Sequence, residues 1–147
     1  MAVITTDILL EGIRRDTVFD WLGDPANHMS LLQGAFEDVR KIEPGTYEMK
    51  LRSKPVARPI RYVVDRKDDS HGGRRVICRT EGRRLAGSLH YSLRTMKPST
   101  NTLLTVHFDY EPGKVLGAVL DQAVLRKDLA AALKRIAENA STAIPRE

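Results

Sequence analysis

The chain has 147 residues, of which 41% are apolar and 29% charged, a composition that fits a globular domain with a sizeable core and excludes collagen-like, low-complexity and disordered classes. The 24 Lys and Arg residues against 19 Asp and Glu give a net charge of +5, too modest for the basic field of a committed DNA binder, so we expect no nucleic-acid partner. A single cysteine, Cys78, excludes an internal disulfide and a cysteine-based metal cage.

The first part of the sequence predicts one strand and two short helices. Residues 3–10 are rich in β-branched side chains and alternate partially, which is typical of a strand. Residues 14–22 place Val18, Phe19 and Leu22 at helical spacing. Asp24 followed by Pro25 is a helix-start signal, because Asp accepts hydrogen bonds from free amides and Pro at the first helical position loses none. The second helix is predicted to run to about residue 32.

Six more strands are predicted in the middle of the chain. Turn residues such as Pro44-Gly45 and Gly72-Gly73 separate segments in which apolar and polar side chains alternate. Repeated hairpin spacing of this kind indicates a meandering antiparallel sheet. The six predicted strands are residues 35–42, 47–53, 60–66, 75–80, 88–96 and 102–110.

After Pro112-Gly113 the apolar period changes from strand-like to helical, and residues 114–140 predict one long helix. Its main apolar stripe consists of Val115, Ala118, Leu125, Leu129, Leu133, Ile136 and Ala140. A second apolar face in its first half consists of Leu116, Leu120, Ala123 and Val124. We expect residues 141–147, which are small and polar, to form a flexible tail.

This order of elements, β-α-α-β6-α, predicts a single domain over residues 1–147 with an α+β, helix-grip architecture. Seven antiparallel strands must hide one face, and the long C-terminal helix is the only element large enough to cover it. We therefore expect a curved seven-stranded antiparallel sheet wrapped around that helix. The short helices would close one end and leave an apolar hollow between sheet and helix, where a ligand site is expected.

Two segments carry a resemblance to a known superfamily. Residues 18–28, with the sequence VFDWLGDPANH, resemble the opening helices of the START/polyketide-cyclase superfamily (SRPBCC, birch-pollen-allergen-like). Residues 102–113, followed by Leu116-Gly117, are similar to its last strand and helix entry. The resemblance implies a pocket for an apolar small molecule such as a lipid, sterol, polyketide or quinone. Some members are cyclases or dehydratases, and many only bind or carry.

The alternation of the strands predicts which side chains would line this pocket. Tyr62 and Tyr91 are the best candidates for polar contacts with a ligand, and Cys78 lies on an inward face as an inert thiol. The predicted apolar sheet wall consists of Leu89, Leu93, Leu104, Val106 and Phe108. The predicted helix wall consists of Val115, Ala118 and Val119.

Other chemistry has less support in the sequence. His90 and His107 alternate with apolar neighbours and are predicted on the outer face. His28 lies near the pocket mouth and is predicted on the surface of the second short helix, with ligand contact or gating as the alternative. No two histidines have the i, i+4 spacing of a helical metal site, so we expect no metal ion, and nothing in the sequence predicts a cofactor. The arginines between residues 74 and 84 are interpreted as a solvated outer face. Arg40 would point inward with Phe36 unless its strand is twisted or bulged.

Three functions remain open at this stage. The leading one is binding or transport of an apolar small molecule. The second is a cyclase or dehydratase, which requires at least two ionisable groups that converge in the hollow. The third is a regulatory interaction module, a homodimer for example, that uses the face formed by Leu116, Leu120 and Val124. The sequence has no signal-peptide pattern and no apolar stretch long enough to span a membrane, so a cytoplasmic protein without integral membrane association is expected.

Overall fold

The computed structural model describes residues 2–51, 59–70, 73–82, 85–111 and 119–146. Its strands are β1 (Ala2–Leu10), β2 (Glu37–Glu43), β3 (Thr46–Lys50), β4 (Ile60–Asp68), β5 (Arg74–Glu81), β6 (Ala86–Met96) and β7 (Asn101–Glu111). Its helices are α1 (Arg15–Gly23), α2 (His28–Leu32) and α3 (Val119–Ala143), with a short 3-10 helix at Pro25–Asn27. The predicted succession of elements is confirmed.

The seven strands form one antiparallel sheet in the order β1-β7-β6-β5-β4-β3-β2. Within it, Leu89 of β6 lies opposite both Cys78 of β5 and Phe108 of β7. These three side chains are buried, while their chain neighbours point to the other side of the sheet. One face of the sheet is therefore the concave, apolar face that the alternation predicts.

Helix α3 covers this face: it packs against β1 and β7 at one edge of the sheet and also against α2, which contacts β2 at the other edge. The described part of its predicted apolar stripe is buried, and Val124 on its other side is 46% exposed. The stripe also extends further than predicted. The sequence predicts a flexible tail from residue 141, but residues 141–143 are helical and Ile144 is buried. Ile144 is buried because it falls four residues after Ala140, on the same face of the helix.

Helix α1 is held on the sheet by an aromatic side chain between two cations. The Lys67 ammonium lies 4.3 Å from the centre of the Phe19 ring, and the Arg74 guanidinium lies 5.3 Å from it. Lys67 also pairs with Asp20 at 3.3 Å, and Arg74 pairs with Asp16. These contacts fix α1 over β4 and β5, so the short helices close one end of the concave face.

Strand β2 departs from its predicted inward and outward alternation. It begins at Glu37 rather than at residue 35, and almost all of its side chains are exposed. Asp38 has a positive φ of 52°, and the pairing with β3 shifts register on both sides of the Arg40–Lys41 step. Arg40 is consequently 67% exposed and pairs with Glu48 at 2.7 Å. The irregular backbone thus directs Arg40 to solvent rather than into the apolar interior.

Gly87 of β6 occupies a position where the backbone of the neighbouring strand β7 leaves no room for a side chain. A Cβ at this position would overlap the carbonyl oxygen of Asp109 and lie 2.8 Å from the Cα of Tyr110. We expect Gly87→Ala to lower the free energy of unfolding by about 1–3 kcal/mol, because the neighbouring backbone must shift. Gly73→Ala is the control, since a Cβ there meets no atom within 4 Å. Equal losses in urea denaturation of the two variants would contradict the close approach at Gly87.

Candidate functional site

Four polar side chains with no exposed surface meet on the concave face. They are His28 at the start of α2, Tyr62 on β4, Cys78 on β5 and Tyr91 on β6. We call these four residues the polar cluster. Buried polar groups are stable only when they find partners, so the contacts within the cluster determine both its structure and its chemistry.

A chain of short hydrogen bonds runs through the polar cluster. His28 Nε2 lies 2.6 Å from the carbonyl oxygen of Leu22, and His28 Nδ1 lies 2.7 Å from Tyr62 Oη. Tyr62 Oη in turn lies 2.9 Å from Tyr91 Oη. The chain joins the end of α1, the start of α2 and two strands of the sheet.

Burial keeps all four groups uncharged. It lowers the pKa of His28 from 6.5 to about 4, against the smaller opposing effects of the Leu22 carbonyl and Asp24. It raises the pKa of Cys78 to about 12, and it raises the pKa of Tyr62 and Tyr91 well above the usual value for tyrosine. Every shift moves away from neutral pH, so the polar cluster is a set of neutral hydrogen-bonding groups rather than of charges.

Neutrality assigns the protons along the chain. The Leu22 carbonyl can only accept, so His28 Nε2 carries the single proton of the neutral imidazole. His28 Nδ1 must then accept, and Tyr62 donates to it. Because that uses the only hydroxyl proton of Tyr62, its oxygen accepts the hydrogen bond that Tyr91 donates.

A small apolar cavity adjoins the polar cluster between the sheet and α3. Its volume of about 10 Å³ corresponds to about one water molecule. In the sheet register, Tyr62 lies opposite Thr80 and Cys78 opposite Leu89, so two cluster residues are direct cross-strand neighbours of cavity residues. The cavity is lined by Phe36, Met49, Ile60, Thr80, Leu85, Leu89, Phe108 and Leu133.

The structure distributes the predicted site residues over three environments. Tyr62, Cys78 and Tyr91 belong to the polar cluster. Leu89 and Phe108 line the cavity. The remaining sheet residues, Leu93, Leu104 and Val106, lie elsewhere in the buried core. Val115 and Ala118 lie outside the described residues, as does the side chain of Val119. The concave face thus brings together both predicted wall strands, β6 and β7, and both predicted tyrosines.

The prediction that His28 lies on a helix surface is wrong. His28 is fully buried, as are Leu31 and Leu32 three and four residues later. These three residues share one helical face, and that spacing was the available signal. The surface prediction failed because α2 is only five residues long, and its orientation depends on how α1 meets the sheet.

The convex face carries His90 and His107, as predicted, while His71 lies outside the described residues. His90 Nε2 lies 2.7 Å from Ser88 Oγ, and His107 Nδ1 lies 3.2 Å from Thr5 Oγ1. Arg75 on the same face pairs with Asp68 at 2.7 Å. Among the described residues, no group of three His, Cys, Asp or Glu side chains could hold a metal ion, and no helix is long and apolar enough to cross a membrane.

Solved structures with the same architecture identify the fold. The KanY protein superimposes with a TM-score of 0.68 at 10% identity over 97% of each chain. A START superfamily protein from Mycobacterium smegmatis gives 0.63 at 12% identity over 97% of this chain and 96% of that one. A norcoclaurine synthase point mutant from Thalictrum flavum, in complex with a transition-state analogue, gives 0.62 at 16% identity over 95% and 93%. The chain therefore has the START-like, helix-grip fold. No family model and no curated protein matches its sequence.

The lowered pKa of His28 predicts a specific loss of stability in mild acid. As the pH falls below 6.5, the unfolded chain takes up a proton that the folded chain excludes down to about pH 4. The free energy of unfolding should fall by up to about 1.4 kcal/mol per pH unit across this window, and by about 3 kcal/mol in total. Chemical denaturation at a series of pH values measures it.

Two variants isolate this effect from that of the carboxylates. His28→Gln should be less stable at neutral pH but should lose less stability than the wild type between pH 6.5 and 4. Leu31→Ala, which removes a buried side chain of the same short helix but no titratable group, should retain the wild-type slope. Parallel curves for the wild type and His28→Gln would contradict the neutral, buried imidazole.

The environment of Cys78 predicts a thiol that is unreactive in the folded protein. Its thiolate is disfavoured because its pKa is raised to about 12 and its side chain has no exposed surface. A thiol-specific disulfide reagent should modify it only as fast as the protein unfolds, and rapidly in denaturant. Stoichiometric labelling within minutes under native conditions would be inconsistent with this burial.

Proposed function

We propose that the protein binds a neutral apolar small molecule, of the lipid, polyketide or quinone-like kind, between the concave face of the sheet and α3. The observation that carries the proposal is the contiguity of the apolar cavity and the polar cluster. Most small-molecule sites combine apolar walls with a few placed polar groups in this way. The leading sequence hypothesis, with Tyr62 and Tyr91 as polar contacts, is consistent with this arrangement.

The fold supports the same proposal. The norcoclaurine synthase structure with its bound transition-state analogue is an example of a helix-grip protein that accommodates a small molecule. Fold alone does not determine the ligand, so the chemistry must come from the side chains of this chain. Here that chemistry is a wall of aliphatic and aromatic groups beside uncharged hydroxyls and a thiol.

The polar cluster favours binding over catalysis. A general acid or base works best when its pKa lies near the working pH. The pKa of His28 moves down to about 4 and that of Cys78 up to about 12, so neither group exchanges protons readily at neutral pH. Of the two pocket hypotheses, the carrier or binding protein therefore has the stronger support.

The volume of the cavity indicates how a ligand would enter. About 10 Å³ admits no drug-sized molecule, so side chains of the wall must move. Met49 has three rotatable bonds and suits such a wall. Burial of about 200 Å² of apolar ligand surface would contribute about 5 kcal/mol before the costs of ordering and side-chain movement.

Native mass spectrometry tests the proposal directly. Freshly purified protein should carry a lipophilic molecule that organic extraction removes, and the extracted protein should then bind toluene or an apolar fluorescent dye. A chain that stays at its bare mass and binds neither probe would refute the proposal.

Enlargement of the cavity provides a sharper test. Leu133→Ala removes a cavity-lining side chain of α3 and should destabilise the protein by about 2–5 kcal/mol while it strengthens toluene binding. Ile136→Ala is the matched control, because Ile136 is also fully buried on α3 but does not line the cavity. Equal toluene affinity in the two variants would place the site elsewhere.

A further inference from the structure

The hydrogen-bond chain of the polar cluster has a direction, and its last oxygen is left as an acceptor. Tyr91 donates its only proton to Tyr62, so Tyr91 Oη retains lone pairs but no free proton. Among the described residues Tyr91 Oη bonds to Tyr62, and the neighbouring Cys78 thiol bonds to Tyr62 rather than to Tyr91. The Tyr91 hydroxyl is thus satisfied as a donor, and its lone pairs are available to a donor that a ligand brings.

Tyr91 is placed where a ligand in the cavity could supply that donor. Leu89, which lines the cavity, lies two residues before Tyr91 on the same face of β6. The two side chains are thus separated by about 7 Å along the strand. A small ring seated between Leu89 and Leu133 can present a substituent to the Tyr91 oxygen once the wall opens.

We propose that the ligand carries a hydroxyl or comparable hydrogen-bond donor, and that Tyr91 Oη accepts its proton. This inference rests on the function proposed above and specifies the chemical class of ligand. A ketone or an ester would direct its own lone pairs at those of Tyr91 and is disfavoured. A carboxylate is disfavoured more strongly, because the buried residues of the described chain include no Lys or Arg to pair with it.

Three probes of similar shape separate these alternatives. Phenol offers a hydroxyl proton, acetophenone offers only a carbonyl oxygen, and toluene offers neither. Binding to the extracted protein is measured for all three by titration calorimetry or ligand-observed NMR. For each variant, the affinities for phenol and acetophenone are divided by its affinity for toluene. The hydration free energy of a probe is the same whichever variant binds it, so it cancels when these ratios are compared between variants.

Tyrosine-to-phenylalanine variants then assign the preference to one oxygen. Tyr91→Phe should lower the phenol-to-toluene ratio about fivefold, the effect of one lost hydrogen bond. Tyr62→Phe removes the acceptor of the Tyr91 proton, so Tyr91 can donate that proton to the carbonyl oxygen of acetophenone. The acetophenone-to-toluene ratio should therefore rise by a similar factor. Tyr47→Phe is the control, because Tyr47 packs beside Tyr62 but donates its hydroxyl to the Pro25 carbonyl at 2.5 Å. It should change neither ratio.

The outcomes distinguish this inference from the proposed function. If the wild type binds none of the three probes, the proposed function fails. If the wild type binds toluene but the phenol ratio is the same in Tyr91→Phe, the pocket stands and the assignment of the ligand class is overturned. A rise of the acetophenone ratio in Tyr62→Phe, with no change in Tyr47→Phe, supports the direction of the proton chain itself.

Discussion

The hydrogen bond between His28 Nδ1 and Tyr62 Oη is the contact on which the arrangement of the site depends. It joins the short helices to the sheet in a region without solvent, where a lost partner would leave a buried polar atom unsatisfied. Because the imidazole also donates to Leu22 at the end of α1, one side chain fixes the ends of both helices. The charges around Phe19 hold α1 from the outside, in solvent, where each ion pair contributes less.

Two demands meet in the interior of the helix-grip fold. Stability favours close packing of the concave face against α3, whereas a ligand needs space there. Among the described residues, the side chains on the concave face are largely buried, and the cavity beside Leu133 has the volume of about one water molecule. The polar cluster lies next to that cavity, so a gap in the packing adjoins a set of buried hydrogen-bonding groups.

Much of this fold could be predicted from the sequence, because its signals are local and periodic. Alternation placed Leu89, Tyr91 and Phe108 on the buried face, and the Asp24-Pro25 signal marked a helical turn in which Asp24 accepts from Ala26. The helical stripe predicted α3 through its buried leucines. The signals failed where the backbone is irregular, as at the positive φ of Asp38, and at the end of α3, where Ile144 extends the stripe.

Only part of the site could be predicted from the sequence. The strand pattern identified Tyr62, Cys78 and Tyr91 as inward-facing, since alternation depends only on chain neighbours. It could not reveal that His28, 34 residues before Tyr62, reaches the same point, or that the hydrogen-bond chain runs in one direction. Those facts depend on how α1, α2 and the sheet pack together. The sequence by itself determined which faces are apolar, and only the tertiary structure decided which buried polar atoms meet.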